Sequence, residues 1–347
     1  MDELASAFER YAAWAADVSP LYERLAGVAA DDPRLLELAS AAPPETAPQL
    51  LLAAVHAVVR SGADHPLERY YGAGDGRTPD GDGEGAGAAA DHFRDFCPRY
   101  EDRIRELVRT RSVQTNDVGR SVVLLPAFEF VARLAGRRRL ATVELGASAG
   151  LNANWDRYGY EYAGVGRAGD PDSPVGLSTA VRGDRDPPLP DRVPSVISRR
   201  GVDLNPLDPA DPEDAQWLHA LIPPDQPGRH ERLEAALDVA GADPPSVEQG
   251  DLVEAVPRLC RGAPDAAALI VYSTLVCYQL DDELVADLRE TLRTIGRDRP
   301  LYWLSGDPDV GPGTPTYRLV AFDGGAVEET RLARFESYGE WIEWLAE

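Results

Sequence analysis

The chain contains no lysine: all 35 basic residues are arginine, set against 59 acidic ones, for a formal net charge of −24. A field of that sign repels phosphate backbones and anionic headgroups, so neither nucleic acid nor a membrane surface is expected as a partner. An acidic, lysine-free surface is also how a halophilic protein stays soluble in a salt-rich cytoplasm, where molar salt screens charges within about 3 Å. We read the charge first as adaptation to habitat and second as a statement about ligands. Cysteine is scarce as well. Cys97, Cys260 and Cys277 are far apart and odd in number, which supplies neither a disulfide framework nor a metal or redox motif. No metal site is expected, and the thiols fit a reducing compartment. There is no apolar run of about 18 residues, and the opening stretch MDELASAFERYAAWAADVSPLYERL carries acids where a signal peptide would be basic. A cytoplasmic protein is expected.

What is present divides the chain in two. Residues 1–136 read as a helical domain. LASAFERYAAWAADV and APQLLLAAVHAVVRSG repeat apolar residues at three- and four-residue spacing, and Ser19-Pro20 starts a helix with Ser19 as its cap. Within this part, about 72–90 is Gly- and Asp-rich with almost nothing to bury, a surface loop expected to be mobile. From 137 to 347 short apolar strands alternate with helical segments: LATVELG, SVISRRGVDLNP, PSVEQGD, AALIVYST and PLYWLSG, then TYRLVAFDGG and AVEETRLARF. Strands separated by helices require crossovers, hence an α/β fold with a mostly parallel sheet covered on both faces. The last two strands, joined at Asp323-Gly324-Gly325, are expected to form an antiparallel hairpin at one edge. An insertion over about 157–194, rich in Tyr, Gly and Pro, reads as a hairpin or lid.

The first strand leads into VELGASAGLNANWDRYGYEY, which contains a literal Gly-x-Ser-x-Gly around Ser148. A nucleophile elbow has that form, but its triad needs a late histidine. Only His219 and His230 follow Ser148, both in or beside helices. A Ser148 hydrolase is therefore the disfavoured alternative. The competing reading starts at Glu144. Glycines let the loop turn tightly beside a ligand, while a carboxylate at the strand end suits an ammonium or hydroxyl groups and repels a pyrophosphate. The Glu-x-Gly-x-x-x-Gly form resembles the first motif of class I S-adenosylmethionine-dependent methyltransferases, and makes Glu144, Gly146, Ala147, Ser148 and Gly150 candidates for cofactor binding. Asp203, ending the next strand, can accept from ribose hydroxyls or begin a turn before Asn205-Pro206. Asp251 either lies near an adenine, as the resemblance implies, or caps the following helix; both roles can coexist. Glu144 and Asp203 stand much further apart than the ~20 residues usual in such folds, because the insertion lies between them.

Larger blocks carry a more specific resemblance. VQTNDVGRSVVLLPAF, VELGASAGLNANWDRYGYEY, RRGVDLNPLDPADPEDAQWLHALIPPDQPGRHERLEAALDVA and QGDLVEAV, with SPLYERLA and AVHAVVRSGADHPLERYY near the start, are similar to successive blocks of the family called domain of unknown function 2332. That resemblance spans nearly the whole chain and implies a Rossmann-like, methyltransferase-type domain behind a helical N-terminal part. It marks Gln114, Thr115, Asn116, Gly119 and Arg120 as a block. Asp117 stands where the pattern has Glu, and Asn154 where it more often has Leu. Thr115 or Asn116 can cap the next helix, and Arg120 can pair with Asp117 or hold a ligand carboxylate.

Beyond the fourth strand, VYSTLVCYQLDD offers Ser273 and Tyr278 for substrate contact, and lacks the signature of base-amino methyltransferases. Methyl transfer to an acceptor that is already nucleophilic needs little beyond alignment, so the want of an obvious base is compatible with it. The expectation is thus a methyltransferase-like protein using S-adenosylmethionine on a small molecule or a protein. A non-catalytic nucleoside-binding or interaction module of the same fold is the alternative.

Overall fold

The computed structural model describes residues 1–71, 85–308 and 313–347, and the chain separates into two compact units. Most of the Gly/Asp-rich loop expected over about 72–90 lies outside the described residues, while 85–90 begin the helix Gly85–Arg99. Among the described residues no helix is long and apolar enough to cross a membrane.

The first unit, 1–115 with 211–233, is helical. Pro20–Ala30 begins as its sequence dictates: Ser19 Oγ accepts from Tyr22 N at 3.0 Å, and Pro20 occupies the first turn where its missing N–H costs nothing. Ser19 Oγ in turn donates to Asp225 at 2.6 Å, which fastens 211–233 to this unit's own helices. Beneath them lies a pair of histidines. His219 Nδ1 and His230 Nδ1 are 3.1 Å apart with their rings within 9° of parallel, and His230 Nε2 is 3.2 Å from Pro223 O. A carbonyl only accepts, so His230 Nε2 donates, its Nδ1 accepts, and His219 Nδ1 carries the shared proton. Protonating His230 sets N–H against N–H. Burial, then the neighbouring His219, lowers the His230 pKa to about 4, with Arg60 and Arg229 acting in the same direction and Pro223 O against them. Burial and His230 likewise push His56 well down.

The second unit, 116–210 with 234–347, holds one sheet of eleven strands. These are β1 Arg139–Leu145, β2 Gly159–Ala163, β3 Gly166–Gly169, β4 Gly176–Arg182, β5 Ser195–Asp203, β6 Ser246–Gln249, β7 Ala268–Thr274, β8 Leu301–Pro308, β9 Pro315–Asp323, β10 Ala326–Phe335 and β11 Trp341–Trp344. Their order is β3-β2-β4-β11-β10-β9-β8-β7-β1-β5-β6. The run β6-β5-β1-β7-β8 is parallel throughout. β7 is buried at every position, which is why ALIVYST reads as an unbroken apolar run. Val143, Leu145, Leu269 and Val271 pack with Val256, Leu259, Leu288 and Leu292 in the core on one face. On the other, the Phe128 ring of helix Ser121–Leu134 meets Tyr272 edge-on at 5.1 Å and Trp155 at 4.5 Å.

The hairpin of β9 and β10 forms as expected around Gly324 and Gly325, whose φ values of +56° and +96° make them suited to a two-residue turn. Its place differs from the expectation: it is not an edge. β11 pairs with β10, β4 with β11, and β2 and β3 continue the sheet. The insertion is therefore a three-stranded extension whose β2–β3 hairpin and β4 cover the free edge of β11, the strand that pairs with β10. Because the connection that holds the extension crosses from the carboxyl end of β1 back to its start, where Ser195 pairs with Arg139, β5 runs parallel to β1, and Glu144 and Asp203 end on adjacent strands despite their separation in sequence.

The histidine pair predicts an acid effect. A folded pKa below the unfolded one means the unfolded chain binds more protons between about pH 6.5 and 4, so stability falls as pH drops through that window. His230→Asn keeps an acceptor for His219 but loses the donor to Pro223 O, and should cost about 1 kcal/mol at neutral pH. In denaturant melts that deficit should shrink as the pH is lowered towards 4; a constant deficit contradicts the assignment.

Candidate functional site

Four strands of the parallel run, β1, β5, β7 and β8, end in acids or in a left-handed turn at the same end of the sheet. β1 runs through Glu144 into the loop 146–150, where Gly146, Ser148 and Gly150 have φ of +64°, +53° and +69°. Glycine is required at two of these for space as well as for φ. A Cβ on Gly146 would lie 2.7 Å from Val276 Cγ2, and one on Gly150 2.6 Å from Pro245 Cβ. The loop's N–H groups turn onto the protein. Gly146 and Ala147 donate to Val202 O, Ser148 to Asp203 Oδ2 at 2.8 Å, Gly150 to Ala147 O, and Leu151 to Asn116 Oδ1 at 2.9 Å. A phosphate cradle keeps such groups outward for its anion; this loop does not.

Around it stand most of the residues singled out from the sequence. Asp203 closes β5 and accepts from Ser148 N with one oxygen and from Asn205 N at 2.9 Å with the other. It thus serves the turn. Arg120 donates from Nε to Ser337 O at 3.2 Å and from Nη1 to Thr274 O at 3.4 Å, which sets it at the end of β7. Asp117 caps its own short turn through Gly119 N, and Ser121 Oγ donates to Asn152 Oδ1 at 3.1 Å. Ala147 is fully buried, its methyl filling the space beside Gly201 of β5.

Other candidates fall away from this group. Asp251 caps helix Leu252–Arg261, accepting from Val253 N at 2.8 Å and Glu254 N at 3.2 Å, and follows β6, separated from β1 by β5. Ser273 is wholly buried against Cys277 Sγ at 3.4 Å, and burial pushes that thiol up to about 12, so Cys277 offers no thiolate. Tyr278 is 59 % exposed.

Glu144 is the unusual group. It is buried between strands, and its Oε2 accepts from Tyr272 OH at 3.0 Å. Burial raises its pKa to about 8; Asp203 adds to the rise, and the Tyr272 bond and Arg120 oppose it. At neutral pH the carboxyl is therefore mostly protonated, an acid rather than a fixed anion.

The sequence puts Tyr272 near the expected pocket without a role for it, and passes over Leu275 and Asp307. Tyr272 holds Glu144. Leu275, directly after β7, has φ +60°, and Asp307 at the end of β8 accepts from Val276 N and Tyr278 N. Asp307 had a signal: Leu-Ser-Gly-Asp ends a strand in an acid, as Glu144 and Asp203 do. Leu275 had none, because leucine does not mark a left-handed position.

A carboxyl whose pKa is raised on folding contributes stability that is complete below the unfolded value and is lost as pH rises through about 8. Glu144→Gln removes that loss, so its melting temperature relative to the wild type should climb between pH 5 and 8. Tyr272→Phe strips a buried partner and should cost about 1–3 kcal/mol at neutral pH. A relative stability of Glu144→Gln that does not change with pH contradicts the protonated acid.

No curated protein and no solved structure matches the chain. The family described as an uncharacterized protein conserved in bacteria, domain of unknown function 2332 (DUF2332), matches over residues 5–344, nearly the full length that these blocks and elements occupy, and the chain belongs to it.

Proposed function

We propose that the second unit is a class I methyltransferase-like domain that binds S-adenosylmethionine at the carboxyl end of its parallel strands. The observation that carries this reading is where the backbone strain sits. Numbered along the chain, the parallel strands run 3-2-1-4-5 across the sheet, so the order reverses between β1 and β7, and the crevice outside such a reversal is where open α/β sheets hold ligands. Ser148 and Leu275, the non-glycine residues with left-handed φ among those described, lie in the turns after these two strands, Leu275 directly after β7 and Ser148 three residues past β1. Each costs roughly 1–3 kcal/mol, and strain of this kind collects at ligand sites.

The ligand chemistry follows from the donors and acceptors present. Asp203, a carboxylate at the end of β5 beside the loop, suits the hydroxyls of a ribose, and the inward-turned loop amides disfavour a pyrophosphate. Glu144 and Arg120 fit the two ends of an amino acid, the ammonium and the carboxylate. The bound sulfonium supplies an electrophilic methyl group; the residues named here bind, orient and exclude water, and alignment provides most of the acceleration. The acceptor is a small molecule or a protein, and the charge of −24 argues against nucleic acid. The hydrolase reading gains nothing, since the two histidines that follow Ser148 in the chain, His219 and His230, share a proton with each other.

Calorimetry with S-adenosylmethionine and S-adenosylhomocysteine should show binding by the wild type. Affinity should fall about tenfold, or 1.4 kcal/mol, for Asp203→Asn, which keeps an acceptor for Ser148 N. A folded wild type that binds neither ligand ends this reading. Binding with no turnover on any acceptor selects the module, and labelling of Ser148 by a fluorophosphonate selects the hydrolase.

A further inference from the structure

We propose that Asp307 is the positioning residue of the ligand site: through the turn after β7 it fixes the shape of the loop after β1. The inference rests on the reading that 146–150 is the ligand loop. Asp307 is 7 % exposed, and its Oδ1 accepts from Val276 N at 3.0 Å and from Tyr278 N at 3.3 Å. Leu275 N donates to Gly306 O at 2.7 Å, and Gln279 Nε2 donates to Leu275 O at 2.8 Å. These bonds close the turn on both sides of Leu275 and hold a branched, bulky side chain at φ +60°, a conformation that an unconstrained leucine leaves.

The turn then acts on its neighbour by volume. The Val276 methyl groups occupy the space where a Cβ on Gly146 would lie, at 2.7 and 3.0 Å, so the valine forms one wall of the ligand loop. If Leu275 relaxes to negative φ, Val276 swings from Gly146, and the loop that carries Ser148 loses that wall. Asp307 touches neither ligand nor reacting atom in this account. Its charge strengthens two N–H bonds that no other side chain in the turn accepts. Burial raises its pKa, and the N–H bonds oppose the rise, as expected for an acid kept for its acceptors.

A double-mutant cycle tests the link. Asp307→Ala should weaken S-adenosylhomocysteine binding about tenfold, and Asp307→Asn, whose Oδ1 still accepts, by less than about threefold. In a Leu275→Gly background, where a left-handed turn needs no restraint, Asp307→Ala should cost less than about threefold, and the stability costs of the two substitutions should be likewise non-additive. Equal costs of Asp307→Ala in both backgrounds overturn the proposal, as does unchanged affinity in Asp307→Ala. If the folded wild type binds no S-adenosylhomocysteine, the ligand reading falls instead. The stability cycle then decides alone, additive costs in urea melts overturning the control of the turn by Asp307.

Discussion

Ser148 N donates to the Asp203 carboxylate across 2.8 Å, and this bond joins the end of β5 to the loop that follows β1. Two parallel strands lying side by side do not by themselves make a site, because their loops can diverge. Here the loop is pulled over the neighbouring strand, and Gly146 and Ala147 confirm the direction by donating to Val202 O, one residue before Asp203. The pull forces three of five residues into left-handed φ, which explains the glycines, and it turns the loop amides inward, which removes the means of holding a phosphate. Sequence, conformation and ligand preference are linked through one carboxylate.

Glu144 sets a second constraint. The surface carries an excess of negative charge, yet the acid deepest in the sheet holds a proton near neutrality because burial outweighs the phenol of Tyr272 and the guanidinium of Arg120. A glutamine would satisfy the same hydrogen bond without that sensitivity. Keeping glutamate makes sense if something else brings a positive charge: a ligand ammonium would lower the pKa, and proton release would accompany binding. On the proposed reading the buried acid meets a ligand's ammonium, a demand separate from whatever the acidic exterior serves.

Much of this was readable in the residues, and the parts that were not share a cause. Strands with long apolar runs, β1, β7 and β9, announce themselves, as do the Ser19 cap and the Gly324-Gly325 turn, since each depends on neighbours in the chain. β3 is Gly-Arg-Ala-Gly and β11 spans four residues; neither has a hydrophobic period, and both exist because a strand was available to pair with. That is why the insertion, read as a hairpin or a lid, holds the hairpin of β2 and β3 and goes beyond it, extending the sheet through β4. At the site the same division holds. The Glu144 and Asp203 strand ends stand out as local patterns. The Tyr272 bond to Glu144 spans 128 residues and the Asp307 bond to Val276 spans 31, and both appear only once β1, β7 and β8 are placed in order.

Strain separates a site from a scaffold in this unit. Glycine at 148 or 275 would remove the conformational penalty, and the chain uses glycine freely elsewhere, with 31 in its sequence. Stability alone gives no reason to keep serine and leucine there. Both lie where the strand order reverses, on turns that press on each other through Val276 and Gly146, and both are held by acids at neighbouring strand ends, Asp203 for one and Asp307 for the other. Two strained turns, each braced by its own carboxylate and in contact along one wall, form a rigid rim that cannot relax one side without moving the other. On the proposed reading such a rim preorganises the ligand's surroundings before the ligand arrives, which is the return for the stability forgone.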